Sequence, residues 1–208
     1  MVRIIFYLVV SLLALANGNA QSKYETGMQK AFDLWKAKDI EQAEALFERI
    51  ASAAPDAWLP HYYIAQINTF AAYKEKEEQR LTLLLEKAKA HIDEAKIISP
   101  NNAEILVQEA MINTAWIAFD GATYGMTLSG KVTQLYNEAL QLAPNNPRVV
   151  FAKAEWDMGS ARYFGKDTAP YCKDVAKALE LFTTFKIESE FHPNWGEKRA
   201  LQILENCE

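Results

Sequence analysis

Apolar residues recur at helical spacing along almost the whole chain and are interrupted at only a few points. Such periodicity gives each of a series of helices one face to bury. Eight glycines and seven prolines in 208 residues leave little to break those helices. The pattern predicts helices near 24–37 and 40–53, 57–73 and 78–98, 102–118 and 128–142, 147–161 and 171–186, with a closing helix near 195–206. The first twenty residues stand apart. Arg3 is their only charge, the apolar run Ile4 to Ala16 follows, and Asn17-Gly18-Asn19-Ala20 ends the stretch in small and polar residues. A short basic start, an apolar core and a small-residue break read as a secretory signal peptide cleaved after Ala20. The run is shorter than the roughly 20 apolar residues that a membrane span requires. Residues 21–208 are then expected to form a single exported domain, periplasmic or secreted, with no membrane insertion.

The interruptions are themselves periodic. Pro55, Pro100 and Pro144 lie 45 and then 44 residues apart, two of them in the near-identical strings Ser99-Pro100-Asn101-Asn102 and Ala143-Pro144-Asn145-Asn146. Proline there ends one helix and asparagine caps the next. Positions not used to find the period obey it as well. Ten residues after each proline stand Ala65, Ala110 and Ala154, and eight before stand Phe47, Ile92 and Tyr136. Five before are Ile50, Ala95 and Ala139; twelve before are Ala43, Ala88 and Val132. Small residues alternating with one bulky residue suit antiparallel helix pairs that pack closely and stack on their neighbours.

Ala31, Ala43, Phe47 and Pro55, and later Ala139-Leu140 and Pro144, resemble the signature of the tetratricopeptide repeat. The family repeats at 34 residues, so about ten residues are inserted between the two helices of repeats two and three. The aromatic residues usual in the first helix are mostly displaced. The resemblance spans residues 24–187 and extends to small exported bacterial proteins of this class. It implies an all-α, right-handed α-solenoid of about four helix pairs plus a C-terminal capping helix, acting as a non-enzymatic module that binds a protein or peptide in its concave groove.

Charge narrows the partners. The chain carries 22 basic and 27 acidic residues, net −5, and loss of Arg3 with the leader makes it −6. A mildly acidic chain lacks the basic footprint of nucleic-acid binders. Cys172 and Cys207, both in the last quarter, are free to pair in an oxidising compartment. The alternatives are two buried thiols or a redox pair, and no CxxC spacing supports the latter.

No catalytic, cofactor or metal motif emerges. His61, His91 and His192 are isolated along the chain, whereas zinc ligands come clustered. Gly159-Ser160 lacks the flanks of a nucleophile elbow, and Gly121 to Gly130 lacks a phosphate-loop ending. One internal echo rises above this background: Ile67-Asn68-Thr69 and Ile112-Asn113-Thr114 occupy the same place in successive first helices, where the next repeat has Trp156-Asp157-Met158. Amides could grip an extended peptide backbone, giving a groove lined by Tyr62, Asn68, Thr69, Asn113, Thr114, Phe151 and Asp157. Equally, each asparagine could bond a neighbouring helix. Two stretches rich in glycine and aromatics, Phe119–Met126 with Tyr124 and Tyr163–Tyr171 with Tyr163, offer further contact residues or plugs for long connections. The other readings carried forward are a small-ligand protein or enzyme with the 119–130 stretch as a lid, and a structural subunit of a cell-envelope complex.

Overall fold

The computed structural model describes residues 21–207; the expected leader lies outside them. The described part is all-α: α1 (21–36), α2 (Ile40–Ala53), α3 (Trp58–Ala72), α4 (Glu78–Ile98), α5 (Ala103–Phe119), α6 (Gly121–Leu142), α7 (Pro147–Tyr163), α8 (Cys172–Thr184) and α9 (Glu197–Leu204), with a 3-10 turn at Ala169–Tyr171 before α8. From α2 onward each helix packs on the next, and α3, α5 and α7 also touch in succession. All twelve positions that share the proline register are buried. Asn102 and Asn146 do cap α5 and α7, each side chain accepting the N–H two residues on at 3.0 Å.

One expectation is corrected here. The stretch 119–130 is not a loop and offers no lid, because α6 begins at Gly121 and the α5–α6 connection is the single residue Asp120. The Asp120 side chain accepts from Ala122 N at 3.0 Å, Thr123 N at 3.1 Å and the Thr123 hydroxyl at 2.6 Å. This cap offsets the cost of roughly 1 kcal/mol for each interior glycine in the first turns that follow.

Helices α3 and α5 are buried on nearly all sides, as the unbroken buried run Tyr62–Thr69 shows. Their second cover is the segment 185–196, which leaves α8 and runs back over the first helices of the repeats. Phe191 stacks on Phe32 at 5.9 Å and meets Tyr24 edge-on, and its carbonyl accepts from the Tyr63 hydroxyl at 2.6 Å. Trp195 Nε1 donates to the Tyr62 hydroxyl at 2.8 Å. The segment turns into α9 at Gly196 with φ 108°, where a Cβ would stand 3.2 Å from Phe182 and 3.3 Å from Phe151. Only glycine suits that turn.

Beneath this segment lies an ionic cluster. Arg148 and Glu104, 1% and 2% exposed, meet through Nε at 2.8 and 3.0 Å and through Nη2 at 2.5 Å. Asn146 donates to the same carboxylate at 2.6 Å, His192 Nε2 stands 3.5 Å away, and the Phe185 ring centroid lies 5.0 Å from the guanidinium carbon. Burial alone would raise the Glu104 carboxyl; His192, Arg148 and Asn146 together hold it below its ordinary range. Elsewhere Glu109 of α5 is clamped between Lys96 of α4 at 2.6 Å and Lys131 of α6 at 3.1 Å.

Cys172 and Cys207 form a disulfide with Cα atoms 6.0 Å apart, closing α9 onto α8 across 35 residues. Such a closure is worth roughly 3–4 kcal/mol in the chain-entropy account. Replacing both cysteines with serine should lower stability by about that amount in denaturant titrations. Glu104→Gln, which leaves the Arg148 charge buried and uncompensated, should cost about 3–5 kcal/mol at neutral pH. A carboxylate with a depressed folded-state pKa stabilises above its unfolded pKa and ceases to do so as pH falls through the folded value. The gap between wild type and Glu104→Gln should therefore narrow on acidification, which denaturant midpoints across an acid pH series would measure.

Candidate functional site

The residues expected to line an open groove are not presented on one. Tyr62, Asn68, Thr69, Asn113 and Phe151 are buried. Asn68 Nδ2 donates to Ile64 O at 2.8 Å and to Glu44 of α2, and Asn113 Nδ2 donates to Glu109 O at 2.7 Å. Thr69 donates to Ala65 O at 2.7 Å and accepts from Gln108 of α5 at 2.9 Å. The repeated Ile-Asn-Thr thus ties helices to themselves and to neighbours, satisfying polar groups in the interior. Tyr62 is occupied by Trp195, and Phe151 lies beside Gly196. Thr114, half-buried, bonds Ala110 O at 2.8 Å, and Asp157 pairs with Lys153 one turn away on α7. Segment 185–196 covers Tyr62 and Phe151, whereas Asn68 and Thr69 are covered by Glu44 of α2 and Gln108 of α5.

The two remaining candidates, Tyr124 and Tyr163, both lie at the first turn of α6. Tyr124 rises from the first turn of α6 against Trp116 of α5, ring centroids 4.9 Å apart, with its hydroxyl 3.2 Å from Glu78. The Tyr163 ring edge packs over Gly121 in the same turn, 3.6 Å from where a Cβ would stand. Phe164 meets Tyr163 edge-to-face at 5.2 Å. Tyr163 and Phe164 are 71% and 70% exposed, and Met126 is also in solvent. Lys166 Nζ lies 5.9 Å from the Phe164 centroid, and Arg162 sits one residue before Tyr163 on the last turn of α7. Two aromatic pairs, one with Lys166 beside it, therefore lie at the same end of α5, α6 and α7.

At the opposite end, the two Pro-Asn-Asn turns bound an open cleft of about 520 Å³ whose floor includes Glu104, Phe185 and His192. The buried Gln108 Oε1 has no hydrogen-bond partner, and His192 Nε2 has only the Glu104 carboxylate at 3.5 Å.

Three features escaped the sequence reading. Arg148 and Glu104 each lie four residues after a register proline, so opposite charges at equivalent positions were a usable signal. The inward course of 185–196 had none beyond its aromatic content. His61 and His91, far apart in sequence, meet across α3 and α4 with Nδ1 atoms 3.0 Å apart. Among the described residues, no group of three or more His, Cys, Asp or Glu is placed to hold a metal ion, and no helix is long and apolar enough to cross a membrane.

No family model matches the chain, and no curated protein matches it. Among solved structures it is similar to the HusA haemophore from Porphyromonas gingivalis, with a TM-score of 0.77 at 22% identity, covering 88% of this chain and 92% of that one. At that identity the similarity establishes a shared helical fold.

Proposed function

We propose that this chain is an exported, non-catalytic binding protein, built as a degenerate tetratricopeptide-type stack, that holds a flat apolar ligand of the tetrapyrrole class. The observation that carries this reading is the aromatic surface of Trp116, Tyr124, Tyr163 and Phe164, with two large rings left mostly in solvent. Exposed contiguous aromatic surface is costly unless it is used, and planar ligands gain most from offset stacking on such rings. Lys166 would face a carboxylate of a haem-like ligand. The fold shared with a haemophore supports the ligand class. The Cys172–Cys207 bond suits an oxidising compartment.

A second reading retains a protein partner on the inner face. It is favoured by how 185–196 is held: a non-helical segment, turned at Ser189–His192, gripped by a side chain on its backbone carbonyl and by aromatic contacts. A partner would then exchange with that segment.

Haemin titration followed by the Soret band and tryptophan quenching tests the first reading. One molar equivalent should bind, and Tyr163→Ala with Phe164→Ala should weaken binding at least tenfold with melting unchanged. No binding, or binding indifferent to both substitutions, would contradict it. For the second, a labelled peptide of residues 186–196 should bind the Phe191→Ala/Trp195→Ala protein and be excluded from wild type. Failure to bind the substituted protein removes that reading.

A further inference from the structure

His61 lies near the start of α3 and His91 in the second half of α4, both half-buried and open to solvent on one side. Their rings are 5.2 Å apart between centroids and tilted by 42°, with the two Nδ1 atoms facing each other at 3.0 Å. Two neutral imidazoles can meet in this way only if one Nδ1 carries the proton and the other accepts it. Moving that proton to Nε2 of its own ring leaves two Nδ1 lone pairs on facing atoms, at no cost in net charge.

We propose that His61 and His91 form a two-histidine site for a divalent transition-metal ion, Cu²⁺ in preference to Zn²⁺. Imidazole nitrogens bind such ions at about 2.0–2.1 Å. With the nitrogens 3.0 Å apart, a bound ion would subtend about 91–97° between them at those bond lengths. That is the angle between adjacent positions of a tetragonal or square-planar field, the geometry Cu²⁺ favours. Tetrahedral Zn²⁺ would require the nitrogens to separate to about 3.3 Å at the same bond lengths. Cu²⁺ also heads the affinity order for nitrogen donors.

The surroundings suit a cation. Glu94 follows His91 by three residues on the same side of α4 and interacts with His61. Lys87, the cation near His91, is neutralised by Glu44 at 2.8 Å and Glu48 at 2.7 Å from α2. Burial lowers the pKa of both imidazoles, so both are unprotonated and ready to ligate at neutral pH. Water or a small exogenous ligand would complete the coordination sphere.

The test titrates the disulfide-bonded protein with CuCl₂ against a glycine competitor, reading the visible d–d band and the electron paramagnetic resonance spectrum, with ZnCl₂ in parallel. Wild type should bind one equivalent with two imidazole nitrogens in the spectrum. His61→Ala and His91→Ala should each weaken binding at least tenfold and leave one imidazole, and Cu²⁺ should raise the melting temperature of wild type alone. Circular dichroism confirms that each variant is folded, and His91→Asn serves as a milder second substitution. Equal Cu²⁺ affinity and spectra in wild type and the His61→Ala/His91→Ala protein overturn the site. Tighter binding of Zn²⁺ than Cu²⁺ overturns the tetragonal assignment.

Discussion

A guanidinium and a carboxylate buried together between two repeats set the arrangement of the rest. Glu104 sits in the first turn of α5, where the helix dipole favours a negative charge; Arg148 sits in the first turn of α7, where it does not. Arg148 is therefore tolerable in the interior only with its partner, and the pair ties the start of α7 to the start of α5. A buried pair of this kind adds little stability over a well-packed apolar pair, and what it contributes is registry. It also creates a polar floor that must be covered, and Phe185 and His192 cover it.

That cover governs where a ligand can go. With 185–196 lying across α3, α5 and α7, the inner face is interior, and the disulfide from α8 to the end of α9 keeps the segment from lifting off as a free tail. The accessible chemistry is displaced to the ends and flank of the stack. One end carries aromatic pairs, one of them beside Lys166, and the α3–α4 flank carries the facing imidazoles.

The all-helical fold could be read from the sequence because its signals are local and repeated. Proline stops, asparagine caps and the small–bulky alternation each act within a few residues, and the helix boundaries they imply agree closely except at 119–130. There the glycines outweighed Asp120 in the reading, although Asp120 caps a continuous helix and leaves no loop. The recurrence of Ile-Asn-Thr is visible in the sequence, but whether an amide points inward or outward depends on what packs against the helix. For Asn68 that neighbour is Glu44 of α2, which no spacing within α3 reveals. The candidate site was legible only in part, through Tyr124 and Tyr163, whose placement depends on how α6 starts. The histidine pair depends on the register of α3 against α4, which no spacing within one helix reveals.

The central claim is that the starts of α3, α5 and α7 are covered by the chain's own C-terminal segment. Amide hydrogen exchange followed by mass spectrometry tests it most directly, comparing peptides from 187–196 with peptides from α3 and from the surface helix α2. The claim predicts slow exchange for His192 and Trp195, approaching that of α3, because ring contacts and burial hold the segment even where its backbone lacks helical bonds. Exchange of the whole segment within seconds, with α3 still protected, would show an open face and contradict it.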